Sequence, residues 1–470
     1  MRRFLALALW LLLASPAWAT TYYVDQGLPG NDSNSGTSAG SPWLTLAKAV
    51  QTVVAGDLVI VKAGIYIDPN GAYDHAFSPT NSGTSSNPIT FQSNPRWAAI
   101  IRSVSQSVSP GAYAWMIAAK DYITVDGFRC EGSLGAQGSD KSIPIRGIVF
   151  QNNDVSVGRP NTSDPSTNWG LALIQAAGGR LVNNYVHDIT SSGNNSHNTA
   201  AIMIFQSDSC TVENNDANCA NGSDLFSVYS SYGQKGGKIK GNTYRYNIAR
   251  NGFCGFLGMG STDAVYWSES NNYYSNIIIN AATSAWEYDH QTRFDLIHNN
   301  TAYNCRALVQ ANYNDTDNIQ VTSYNNIMAN TLSYGTSDAE YAHSPMDYHR
   351  SGSANFSVNL LALSNYNCFV PNKDIAVYSY GSGLYSTLSA WRSAYPVFDV
   401  NSIAALPAFL DAVGGDFHLS ASSPCRGVGL GGVDLGAYSN GTGTVVGLNY
   451  STQGSSDTIA PSDVSDLRPR

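Results

Sequence analysis

The stretch 284–304, SAWEYDHQTRFDLIHNNTAYN, crowds Glu287, Asp289, His290, Arg293, Asp295 and His298 into one short phrase. Carboxylate, imidazole and guanidinium groups this close can move a proton while a cation neutralises substrate charge. Arg306, Gln310, Asn312, Asp347, His349 and Arg350 follow downstream, and Tyr229 and Tyr232 precede them. Elimination beside a substrate carboxylate would use His290 or His349 as base and Tyr229 as the acid on the leaving oxygen. Arg293 or Arg350, with Gln310, would neutralise the carboxylate, and Asn312 and Tyr232 would hold the substrate. Hydrolysis needs two carboxylates, about 5–5.5 Å or about 6.5–9.5 Å apart, for which Glu287, Asp289 and Asp347 are the candidates. A third reading is a binding face without catalysis. His187-Asp188, Asp126, Asp208 and the lysines at 235, 238 and 240 read as turn or solubilising residues.

These groups must be positioned by strands. The composition, 43 glycines and 28 tyrosines with only 13% charged residues, suits turns and strands rather than helices. The 284–304 phrase also recurs. YITVDGFRCEG, IRGIVFQNNDV, RLVNNYVHDI, CTVENNDANC, KIKGNTYRYNIARNG, VYWSESNNYYSN, FDLIHNNTAYN and IQVTSYNNIMAN are variants of it. Anchored on Asn153, Asn184, Asn215, Asn242, Asn272, Asn300 and Asn326, the intervals are 31, 31, 27, 30, 28 and 26 residues. Periods of this size mean stacked repeats. Each repeat holds short alternating runs between Gly/Asn/Asp turns with no helical period, which leaves a parallel β-helix. Asn tolerates the left-handed backbone of a tight corner, and its amide can bond the Asn one repeat above.

One strand per repeat, at 171–175, 202–206, 226–230, 256–260, 286–290, 308–312 and 345–350, can then stack into a sheet. Alternation sends Ile202, Ile204, Phe226, Val228, Trp286 and Tyr288 inward. It sends Tyr229, Glu287, Asp289, Gln310, Asn312, Asp347 and His349 outward onto one face.

The first nineteen residues read as an export signal, with Arg2 and Arg3, an apolar run at 4–13 and a small-x-small site at Ala17-Trp18-Ala19. A secreted or periplasmic protein is expected, cleaved near Ala19 and monomeric, and no later stretch has the ~18 apolar residues of a membrane span. Cleavage moves the formal charge from −9 to −11. That excludes nucleic acid as a plausible partner. An acidic polysaccharide would need a basic pocket or a bridging cation, and Ca²⁺ held by Asp289 or Asp347 is the expected cofactor if one is used. Seven cysteines leave at least one unpaired. Cys210 and Cys219 are close enough in sequence to bridge, or several serve as buried small hydrophobes.

The mature start, TYYVDQGLPGNDSNSGTSAGSPWLTLAKAVQTVVAGDLVIVKAGIY, gives a strand, a polar loop, an amphipathic helix at 44–54 and a strand at 58–62. It resembles the N-terminal cap of right-handed parallel β-helix proteins of the pectate-lyase-like superfamily, where the helix closes the open end of the coil. GDFHLSASSPCRGVGL and the segment 433–437 resemble the closing segment of the same superfamily. The resemblance implies an all-β right-handed parallel β-helix that cuts or remodels acidic polysaccharide across one sheet face. Glu287-Tyr288-Asp289-His290 before FDLIHNN also resembles mannuronan C5-epimerases, without their proline and with Gln291 at the second acid. The implied layout is a cap region at 20–84, a β-helix at 85–440 and a disordered polar tail at 441–470.

Overall fold

The computed structural model describes residues 19–68, 77–102, 113–156, 169–189, 199–219, 223–230, 239–260, 268–289, 292–312, 320–329, 346–348, 361–370, 376–378, 385, 387–439, 441 and 443–449. The chain is an all-β parallel β-helix. Two twelve-stranded sheets and one ten-stranded sheet each run the length of the coil, and every pairing within them is parallel. Each turn of the coil takes one strand from each sheet, as in Val149–Gln151, Asp154–Ser156 and Trp169–Ile174. The third of these sheets carries Tyr113–Ala118, Ser133–Gln137, Trp169–Ile174, Ala200–Phe205, Asp224–Tyr229, Phe256–Met259, Ser284–Asp289, Ala307–Asn312, Met346–Tyr348 and Ala376–Tyr378. Its bounds follow the alternation in the sequence to within about two residues.

The interior is filled by aromatic side chains stacked in register. Phe226 lies on Phe256 at 4.9 Å and Phe256 on Trp286 at 5.4 Å, with Tyr244 on Tyr273 at 5.0 Å beside them. Ile202, Ile204, Phe226, Val228, Trp286 and Tyr288 all point inward and are buried, as the alternation requires.

The corner between the first and second sheets divides two properties of asparagine between two neighbouring positions. The first, at Asn152, Asn183, Asn214, Tyr246, Ser275, Asn299, Asn325 and Tyr366, takes the left-handed conformation. The second forms a buried amide ladder through Asn153, Asn184, Asn215, Asn247, Asn276, Asn300, Asn326 and Asn367. Each Asn Oδ1 accepts from both the backbone N and the Nδ2 of the preceding ladder residue, as Asn215 does from Asn184 at 2.9 Å each. The ladder intervals are 31, 31, 32, 29, 24, 26 and 41 residues. Asn242 and Asn272 are therefore not rungs of it. Asn242 belongs to a second ladder at the corner before the first sheet, where Cys210 N donates to Asn242, Asn242 to Asn271, and Asn271 to Asp295. Asn272 is the first residue of the strand Asn272–Tyr274.

Both ends are closed. The helix Leu46–Thr52, N-capped by the Thr45 hydroxyl, buries Leu46, Ala49 and Val50 against the first coils; it is shorter than the expected 44–54. A second helix, Leu388–Ala394, packs Trp391 beside the last coil, where Trp391 Nε1 donates to buried Asp399 at 3.0 Å. No sequence expectation placed it. Beyond Ala404 the chain turns back and covers the outer side of the second sheet with Phe409, Phe417, Ala437 and Val446. It then climbs the left-handed column of the Asn corner. Leu430 N donates to Asn325 Oδ1, Gly447 N to the Tyr246 carbonyl, Asn214 Nδ2 to the carbonyls of 445 and 447, and Asn449 N to Asn183 Oδ1. Residues 443–449 of the polar stretch expected to be disordered are thus docked, because side-chain amides and a carbonyl of the column satisfy their backbone. Residues 442 and 450–470, and residues 1–18 of the expected signal, lie outside the described residues.

All seven cysteines are buried. Cys210 and Cys219 do not bridge: Cys210 sits at the corner before the first sheet, and Cys219 follows the second-sheet strand Asp216–Asn218. No helix of the described residues is long and apolar enough to cross a membrane.

Candidate functional site

Parallel register fixes which positions of the third sheet line up. One row runs Met116, Gly135, Ala172, Met203, Ser227, Leu257, Glu287, Gln310 and Asp347. The next runs Ala118, Gln137, Ile174, Phe205, Tyr229, Met259, Asp289 and Asn312. Strands about 4.8 Å apart thus bring Glu287, Gln310 and Asp347 into one line and Tyr229, Asp289 and Asn312 into another.

The two rows differ in access. The first is buried from Met116 to Gln310, with Glu287 1% and Gln310 3% exposed. The expectation that Glu287 stands on a solvated face is corrected. Its row continues the packed line of Met203, Ser227 and Leu257, and Glu287 accepts from Thr283 Oγ1 at 3.0 Å. Close by, Cys254 Sγ lies 3.2 Å from Asp224 Oδ1. Burial, then the charges of Asp224 and Glu287, push that thiol far up. The second row is the reachable one. Phe205, Tyr229 and Met259 are half-buried, and Trp169, Phe205 and Tyr229 make a continuous aromatic strip with ring centroids 5.2 and 5.3 Å apart.

Arg293 is on neither row. It lies half-buried in Thr292–Arg293, past the end of the third sheet, and pairs with Glu269 in a three-stranded corner sheet. Arg306, just before the strand Ala307–Asn312, is 8% exposed. Tyr232, His290, His349 and Arg350 lie outside the described residues, as do the side chains of Asp289, Asn312 and Asp347. Among the described residues, no group of three His, Cys, Asp or Glu side chains is placed to hold a metal ion. Asp289 and Asp347 are two strands and one row apart.

A second set of ionisable groups was not foreseen. On the outer side of the first sheet, Glu213, Arg245, Tyr274, His298 and Tyr324 stand opposite one another in successive strands. Glu213 accepts from Arg180 Nη2 at 2.6 Å and from Arg245 Nε at 2.8 Å. Burial raises the Glu213 pKa, but the two arginines outweigh it and hold the carboxyl below its ordinary range. Arg245 Nη1 donates to the Tyr274 hydroxyl at 3.0 Å. Tyr274, His298 and Tyr324 stack at 5.1 and 4.9 Å, nearly parallel. Partial burial lowers the His298 pKa, with the Asn299 hydrogen bond opposing, so its imidazole is neutral near pH 7. Each of these five residues lies two positions before a buried ladder asparagine. That signal is in the sequence but is lost when the repeats are aligned on Asn242 and Asn272.

Of the other residues with turn or solubilising readings, Lys235 and Lys238 lie outside the described residues, and the rest sit in structural hydrogen bonds. Asp126 accepts from Asn152 Nδ2 at 2.7 Å, and Asp208 from Lys240 N at 2.9 Å. His187 bridges Asp154 at 2.9 Å and Asp188 at 2.7 Å.

The architecture defines a protein of the parallel β-helix, pectate-lyase-like fold. Among solved structures the chain is similar to pectate lyase Pel9A, with 15% identity and a TM-score of 0.51 over 89% of this chain and 96% of that one. It is also similar to the PL6 family alginate lyase AlyGC, with 11% identity and a TM-score of 0.42 over 88% and 58%. A GH136 lacto-N-biosidase from Eubacterium ramulus matches with 12% identity and a TM-score of 0.39 over 76% and 65%. At these identities the likeness is one of fold. No protein-family profile matches the chain, and no curated protein sequence matches it.

Proposed function

We propose that the chain is an exported lyase that cleaves an acidic, uronate-containing polysaccharide by β-elimination across the outward face of the third sheet. The observation that carries this is the reachable row. Phe205 and Tyr229 form an apolar, aromatic approach on which sugar faces stack, and the same row continues to Asp289 and Asn312. A base, His290 or His349, takes the proton beside the uronate carboxylate. The electron pair closes the ring double bond, the bond to the leaving oxygen breaks, and Tyr229 protonates that oxygen. Arg350 offsets the carboxylate charge, since Gln310 is buried and Arg293 lies past the end of the third sheet, and Asn312 and Tyr232 hold the neighbouring sugar. Ca²⁺, if used, would be held by Asp289 or Asp347 and would supply the same neutralisation. The burial of Glu287 withdraws one of the three candidate carboxylates and leaves hydrolysis the single pair Asp289 and Asp347.

The stacked Tyr274–His298–Tyr324 ladder supports a second reading, in which sugar binds the first sheet and His298 is the base. The test is incubation with pectate, alginate and glycosaminoglycans, following both the ultraviolet absorbance of the unsaturated uronate and new reducing ends. Tyr229→Phe should reduce the absorbance rate at least tenfold, with His298→Gln little changed. The reverse pattern moves the site to the first sheet. Reducing ends without absorbance make it a hydrolase, and retention of polymer without either makes it a binder.

A further inference from the structure

We propose that Cys368 and Cys425 form a disulfide that fastens the returning C-terminal segment to the last coil. Cys368 lies in the second-sheet strand Cys368–Phe369, hydrogen-bonded to the coils on either side. Cys425 comes from the closing segment 57 residues later, and the two sulfurs are 2.9 Å apart. That is nearer than unbonded sulfurs pack, and a small movement reaches the ~2.05 Å bond. Both residues are fully buried in a small core with Ile327, Ala329, Val370 and Leu435. Leu435 N donates to the Cys425 carbonyl at 2.9 Å, and Cys425 N to Ser423 Oγ at 3.2 Å, so the backbone that carries the sulfur is held in place. The polar contacts of the other thiols are to oxygen, as for Cys210, Cys254 and Cys305.

The oxidant is a disulfide-bearing oxidoreductase or small-molecule disulfide of an oxidising compartment. One cysteine thiolate attacks the oxidant's disulfide, giving a mixed disulfide and one released thiol. The second thiolate attacks the protein sulfur of that intermediate and releases the other thiol. Two protons and two electrons pass to the oxidant, and one S–S bond forms in the protein. Because the pair is buried once folded, exchange takes place before the segment closes.

The full chain, matured through an oxidising compartment, is denatured and alkylated with iodoacetamide, with and without prior reduction. Five alkylated cysteines without reductant and seven with it are expected, and the unreduced digest should contain one cross-linked peptide joining 368 to 425. Cys368→Ser and Cys425→Ser should each take up six labels without reductant, since the partner is released. These counts are read on denatured protein, so a folding defect in either variant does not affect them. Seven labels on the unreduced parent chain, or a cross-link between other cysteines, overturns the proposal.

Discussion

Asp295 occupies the last position of the short amide ladder that begins at Cys210 and Asn242, fully buried beneath the first-sheet corner. Its Oδ1 accepts from Asn271 N at 2.8 Å and Asn271 Nδ2 at 3.2 Å. Burial raises its pKa most, and the Asn271 hydrogen bonds only partly offset this, leaving it at about 7 against an ordinary 3.8. A raised carboxyl pKa favours the folded state while the proton is held. That contribution is complete below 3.8, is lost as pH rises through about 7, and is gone above it. Between pH 4.5 and 7 the loss is about 3 kcal/mol, from about 1.4 kcal/mol per pH unit.

Asp295→Asn keeps the acceptor oxygen and cannot ionise. Its new amide has a precedent one rung earlier, where Asn271 Nδ2 donates to Ser268 Oγ at 2.8 Å; Thr292 stands three residues before position 295 as Ser268 does before 271. Denaturant midpoints of the two chains, measured from pH 4.5 to 8.5, should therefore diverge, with the parent falling and the variant staying higher at pH 8.5. Other titrating groups are common to both chains and cancel in the difference. Equal pH slopes, or a variant less stable than the parent at pH 8.5, would refute the reasoning.

Asn215→Ala removes the acceptor of Asn184 N and Nδ2 and the donor to the Leu181 carbonyl, all buried. A loss of roughly 2–5 kcal/mol in denaturant unfolding is expected. Asn280→Gly cuts half-exposed bonds to Asn251 and Asn304 and keeps a left-handed residue, so it should cost under about 1 kcal/mol. For His187, burial lowers the pKa, but hydrogen bonds and charges from Asp154 and then Asp188 outweigh it, leaving the pKa above 6.5. The stability it adds is full below pH 6.5 and lost as pH rises through the folded value, and an NMR titration of its ring should show a midpoint above 6.5. If Ca²⁺ bridges the substrate, exhaustive chelation should abolish the ultraviolet signal and added Ca²⁺ should restore it. Unchanged turnover would leave the neutralisation to Arg350.

The repeat, the strand type and the inward set were legible because each follows from periodicity and alternation. The register of the ladder was legible only in part. Both corners use Asn, and Asn271-Asn272 reads as a pair like Asn299-Asn300 although it belongs to the other corner. That shift hid the common position of Arg245, Tyr274 and His298. Alternation places Glu287 and Tyr229 outward but does not say what covers an outward residue. Hence the burial of Glu287 could not be read from period two, whereas its alignment with Gln310 and Asp347 could. The helix Leu388–Ala394 is only seven residues long and holds its place through Trp391 and Asp399, a tertiary contact with no periodic signature.

The backward climb of the C-terminal segment changes how the solenoid comes apart. In a stack held only by neighbouring coils, the last coil can peel away without disturbing the others. Here the final described residues bond to Asn183, 266 positions earlier, and on the way to Asn214, Tyr246, Thr301 and Asn325. Fraying at the late end must therefore break a seam that spans six coils of the left-handed column. Those coils become one cooperative block rather than six independent ones. The seam can also close only after all six have formed, so its closure reports that they are in register.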